Sequence, residues 1–191
     1  MIKAALLSLG GIVFAGAASA EVVGDLEAGR KLAGQCRTCH GIDGFAKIPS
    51  APHIGGEPAG YIASQLIAFR EGVRAHEMMS VVAKSLSDQQ IWDLAAWYGS
   101  HTITAEMTAD ASGAPEVCVA CHGDNGIGLA EDVPNLAGET NIYIDTQLKA
   151  FRIGKRTHEV MTPIASELTD AEIRAAADWY ASVKVEIEAS K

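Results

Sequence analysis

Two short clusters, Cys36-Arg37-Thr38-Cys39-His40 and Cys118-Val119-Ala120-Cys121-His122, stand 82 residues apart in a chain of 191. The offset holds without a gap far beyond the clusters. Laid on Cys118–Ser182, the segment Cys36–Ser100 is identical at 28 of its 65 positions, among them Pro52/Pro134, Tyr61/Tyr143, Gln65/Gln147, Phe69/Phe151, Arg70/Arg152, Arg74/Arg156, His76/His158 and Met79/Met161. A period kept this faithfully means that one structural unit occurs twice. The chain must therefore fold as two copies of a small domain. The stretch Thr102–Gly113, TITAEMTADASG, is small and polar with little helical hydrophobic spacing, and reads as a linker between domains at 21–101 and 114–191.

Each copy reads as helical. Ser87-Asp88-Gln89-Gln90 and Thr169-Asp170-Ala171-Glu172 are capping boxes, in which a hydroxyl accepts from the N–H three residues on and the Gln or Glu reaches back. The helices they open carry apolar stripes at Ile91, Leu94, Ala95 and Tyr98, and at Ile173, Ala176, Ala177 and Tyr180. Further helices are expected over Asp25–Gln35, Tyr61–Arg70 and Tyr143–Arg152. Before the second cluster Gly113 and Pro115 delay the helix, which places Pro115 in its first turn. No alternating strand stands out, so the fold class is all-α. Aromatic residues make up only 6%, and three or four short helices with so few large side chains enclose a thin core. Something other than protein is needed to fill each domain.

The clusters indicate what that is. In C-x-x-C-H, two thiols can form thioethers to the vinyl groups of haem while the adjacent imidazole reaches the iron. A zinc site would want its second cysteine pair after some 15 to 20 residues, whereas 78 residues lie between Cys39 and Cys118. A thioredoxin-like pair would want a βαβ setting that is missing. Covalent haem c at both clusters, with His40 and His122 as iron ligands, is the economical reading. Met79 and Met161, each 39 residues beyond the histidine of its own copy, offer a soft thioether for the opposite face, the His/Met arrangement of electron carriers. His76 and His158 recur as faithfully and would give a bis-histidine centre instead.

These motifs resemble class I c-type cytochromes in tandem, and the dihaem cytochrome c4 family in particular, over essentially everything after residue 20. Ala51-Pro52-His53-Ile54-Gly55-Gly56 and Val133-Pro134-Asn135-Leu136-Ala137-Gly138 resemble that family's proline loop. The resemblance implies two cytochrome c domains in a pseudo-twofold arrangement. It implies that the carbonyls of Pro52 and Pro134 accept the haem histidines' outer proton, and that Arg70 and Arg152 hydrogen-bond haem propionates. It also implies an electron carrier and not an enzyme, working between a quinol-oxidising complex and a terminal oxidase or reductase, or serving as the haem subunit of a dehydrogenase such as a flavocytochrome. A haem enzyme, the remaining alternative, would need one labile ligand where the sequence supplies Met79 and Met161 in equivalent places.

Location and charge fit such a carrier. Residues 1–20 have a basic start at Lys3, an apolar run and the exit Ala18-Ser19-Ala20, the pattern of a cleaved secretory signal. The expected location is the periplasm. The formal charge of −9 becomes −10 once Lys3 is removed, which argues against nucleic acid as a partner and for salt-dependent encounters with basic redox proteins. Peripheral association with a membrane is compatible with this reading.

Overall fold

The computed structural model describes residues 22–107 and 113–189; the expected signal segment lies outside them. Helix α1, Leu26–Ala33, begins where the Asp25 carboxylate accepts from the N–H of Ala28 at 2.8 Å. The turn α2, Arg37–His40, carries the first cysteine cluster. Then come α3 (Ala59–Glu71), α4 (Met79–Lys84) and α5 (Asp88–Gly99), followed by the strand β1 (Thr102–Glu106). The second copy repeats the order: α6 (Glu116–His122), α7 (Asn141–Arg152), α8 (Met161–Glu167), α9 (Asp170–Ala181) and β2 (Lys184–Glu188).

Both expected capping boxes form, at Ser87 with Gln90 and at Thr169 with Glu172. Each fixes the start of the helix that carries most of its domain's core. Ile91, Leu94, Ala95 and Tyr98 point inward from α5, and Ile173, Ala176, Ala177 and Tyr180 from α9. Helix α1 crosses α5 at Gly29, where a Cβ would meet the carbonyl oxygen of Asp93 at 1.9 Å. That close approach is open only to a residue with no side chain. Pro115 precedes the second cluster's helix as its N-cap and does not enter the first turn.

Met79 and Met161 each open a short helix, α4 and α8. One expectation needs correction. The segment read as a linker begins as a strand: Thr102–Glu106 pairs antiparallel with Lys184–Glu188, so the fold is helical with a small two-stranded sheet. Five residues with alternating exposure, TITAE and KVEIE, are too short a period-two signal to stand out in the sequence. The pairing itself joins segments some eighty residues apart. Its register places Thr104 opposite Glu186, which are repeat-mates at the offset of 82, so the pseudo-twofold axis passes through the middle of the sheet.

Candidate functional site

The first cysteine cluster is a single helical turn. The carbonyl of Cys36 accepts from the N–H groups of Cys39 and His40 at 3.2 and 3.0 Å, and Gly41, at φ 73°, turns the chain away. His40 is 8% exposed, and its Nδ1 lies 2.9 Å from the carbonyl oxygen of Pro52. A carbonyl can only accept, so Nδ1 carries the proton and Nε2 keeps its lone pair for a metal. The second copy repeats the arrangement, with His122 Nδ1 at 2.9 Å from the carbonyl oxygen of Pro134. Burial lowers the proton affinity of both imidazoles and raises the pKa of the Cys36 and Cys118 thiols. All four cysteines are free of disulfides.

Across from the cysteines stands the methionine segment. Met79 shares an apolar cavity with Cys36, Leu32, Leu66, Val82 and Leu94. Met161 packs at the edge of the second core together with Cys118. His76 and His158, the rival ligands, take another position. The Nδ1 of His76 accepts from the N–H groups of Met78 and Met79, and that of His158 from those of Val160 and Met161, at 3.2 to 3.4 Å. Each exposed histidine therefore caps the helix whose first residue is the methionine. Among the described residues no group of three or more His, Cys, Asp or Glu is assembled to hold a metal by protein alone. In each domain a methionine and a cysteine border the same apolar region, and a second thiol and a buried imidazole follow in the same turn, a donor set that fits a haem c.

Arg70 and Arg152 make matching contacts within their own domains. Arg70 donates to the carbonyl of Leu86 at 3.1 Å and pairs with Asp88 at 2.7 Å and Glu71 at 3.1 Å. Arg152 donates to the carbonyl of Leu168 at 3.1 Å and pairs with Asp170 at 2.6 Å. Both guanidinium groups tie α3 or α7 to the start of its domain's last helix.

The domains meet through repeat-mates that exchange partners. Arg74 lies over the ring of Phe69 and donates to Gln65, and across the boundary to Gln147 and Tyr143, at 2.7 to 3.2 Å. Arg156 lies over Phe151 and donates to Gln147, and across the boundary to Gln65 and Tyr61, at 2.9 to 3.0 Å. The proline loops exchange in the same manner. His53 accepts from the N–H of Ala46 at Nδ1 and donates from Nε2 to the carbonyl of Gly138. Its repeat-mate Asn135 accepts from the N–H of Gly128 and donates to the carbonyl of Gly56. Glu57 and Glu139, 5% and 3% exposed, are buried in the same boundary. Identity between the copies marks most of these residues, but nothing in one copy alone shows that their partners lie in the other.

The two copies separately match the family described as cytochrome c oxidase, cbb3-type, subunit III, at residues 25–97 and 108–179. The chain is 31% identical over 180 residues to cytochrome c4 of Pseudomonas aeruginosa, covering 84% of this chain and 89% of that protein. The chain belongs to the dihaem cytochrome c4 family. The crystal structure of reduced recombinant cytochrome c4 from Pseudomonas stutzeri superposes with a TM-score of 0.72 at 28% identity, over 85% of this chain and the whole of that one. The thiosulfate dehydrogenase electron acceptor of Thiomonas intermedia is 32% identical over 172 residues, 78% of this chain and 79% of that protein. As a member of the cytochrome c4 family the chain carries two covalently attached haem c groups and transfers electrons.

Proposed function

We propose that this cytochrome is a periplasmic electron carrier between respiratory partners, with haem bound through Cys36 and Cys39 and held by His40 and Met79 in one domain. In the other domain Cys118, Cys121, His122 and Met161 do the same. One observation carries the ligand assignment. Both imidazoles are locked with Nδ1–H on a proline carbonyl at 2.9 Å, while both rival histidines are used to cap the methionine helices. The fixed tautomer keeps each axial nitrogen a neutral, basic ligand, and a thioether opposite favours the reduced iron. With protein on both axial positions no site remains for a substrate, so the chain relays electrons and is not itself an enzyme.

The net negative charge supports steered encounters with basic docking faces, and no helix among the described residues is long and apolar enough to cross a membrane. The partners proposed are a quinol-oxidising complex as donor and a terminal oxidase or reductase as acceptor. A second reading, the acceptor subunit of a periplasmic dehydrogenase, is supported by the similarity to a thiosulfate dehydrogenase electron acceptor.

Optical spectra of the purified holoprotein test the ligands. The oxidised protein is expected to show the weak far-red methionine–iron band. Met79→Ala and Met161→Ala should each remove about half of it and make one haem reactive towards carbon monoxide. Carbon monoxide binding by the unaltered protein, or variants with unchanged spectra, would overturn the assignment.

A further inference from the structure

The buried carboxyls at the domain boundary are joined to the axial histidines of the opposite domains. Glu57 Oε2 accepts from the backbone N–H of Asn135 at 3.1 Å. That N–H belongs to the peptide unit whose carbonyl, Pro134 O, accepts from His122 Nδ1. A carboxyl from the first domain and the haem histidine of the second thus hold the two ends of one peptide dipole. The counterpart exists in the other direction. Glu139 faces the backbone N–H of His53, and the carbonyl of the same peptide unit, Pro52 O, accepts from His40 Nδ1. The Glu139 contact is the looser one: its Oε2 is buried without a partner.

We propose that Glu57 is a positioning residue for the haem of the second domain and Glu139 for that of the first, each acting across the boundary through the Pro134–Asn135 or Pro52–His53 peptide. The inference rests on His122 and His40 being axial ligands. A charged carboxylate on the N–H polarises the peptide, makes the proline oxygen a stronger acceptor and gives the imidazole more anionic character. Anionic character favours ferric iron and lowers the potential.

The carboxyls themselves are poised to change charge. Burial pushes Glu57 up to about 8 and raises Glu139 well above the carboxylate range, the second being held up also by the charge of the first. Few other groups face them. The neighbours are His53 at its backbone, Tyr61, whose ionisation Glu57 opposes, and Thr140, whose N–H faces Glu139. Lys184, Glu106 and Glu186 on the nearby sheet are exposed, and the lysine pairs with both carboxylates. Oxidation of a haem held by His122 would ease loss of the Glu57 proton, and its reduction would favour the protonated carboxyl.

Potentiometric titration of the holoprotein between pH 6 and 9 tests this, with Glu57→Gln and Glu139→Gln as isosteric neutral variants. In the unaltered protein both potentials should fall as pH rises. Glu57→Gln should raise one potential and abolish its pH slope, and Glu139→Gln should do so for the other. In Glu57→Gln the remaining Glu139, relieved of its neighbour's charge, should titrate at lower pH. Thermal melting checks that both variants fold, and Glu57→Asp should restore part of the slope. Unchanged potentials and slopes, or an equal shift of both potentials with slopes retained, would overturn the proposal. A wild-type spectrum without histidine–methionine character would instead overturn the ligand reading beneath it.

Discussion

His53 offers a sharp test of the interface, because Asn135 does its work in the other copy. Its imidazole is 7% exposed, accepts from Ala46 at 2.9 Å and donates across the boundary to Gly138 at 3.1 Å. His53→Ala leaves an N–H and a carbonyl without partners. At about 1 to 3 kcal/mol for each orphaned group, reduced by the water that reaches a partly buried site, the loss should be about 2 to 4 kcal/mol. His53→Asn can rebuild both bonds as Asn135 does and should stay within about 1 kcal/mol of the unaltered protein. The two variants also separate on pH. Burial holds the folded imidazole neutral, with its pKa lowered, whereas the unfolded one takes up a proton below about pH 6.5. The unfolded state then binds the extra proton, so stability is retained above that pH. Below it, stability falls by about 1.4 kcal/mol per pH unit until the folded group titrates as well. His53→Asn should lack this component. Urea unfolding of the holoprotein, followed by circular dichroism at pH 5, 6 and 7, reads both effects. If His53→Asn is as damaging as His53→Ala, or keeps the full acid slope, the hydrogen-bond exchange described for the proline loops is wrong.

The sheet can be tested at Gly138, whose φ is 68° and where a Cβ would meet Val185 Cγ1 at 2.3 Å. Gly138→Ala should cost more than about 1 kcal/mol and loosen the domains, seen as a larger radius in X-ray scattering. Ser87→Ala and Thr169→Ala remove the two helix caps and should each cost about 1 kcal/mol, measured as a lowered Tm with spectra unchanged. Because the caps lie in different domains, the double variant should lose the sum within about 0.5 kcal/mol.

Local features were readable in the sequence. The capping boxes, the apolar stripes of α5 and α9 and the cysteine turns each depend on residues within two helical turns of one another. The proline at a constant twelve residues from each histidine was readable too, because duplication supplied an internal control. What escaped depends on the other copy. Thr102–Glu106 becomes a strand only against Lys184–Glu188, and Arg74 reaches Tyr143 only once the domains dock. Arg70 and Arg152 show the converse: matched positions identify a shared role, and the geometry shows that role to include helix anchoring. Glu57 and Glu139 were visible as an identical pair, yet burying a carboxylate is costly enough that composition alone places such residues on the surface.

The placement of Thr104 against Glu186 has a consequence for how such a chain can arise. An antiparallel pair centred on equivalent residues is the self-complementary contact of an isologous dimer. A lone repeat ending in such a strand would meet its twin only by mass action. Tethering the twins in one polypeptide replaces that with a fixed effective concentration, independent of how much protein the cell makes. It also frees each half to change without its mirror image changing, which a true homodimer cannot do, and a histidine at 53 where its repeat-mate at 135 is an asparagine is one outcome of that freedom.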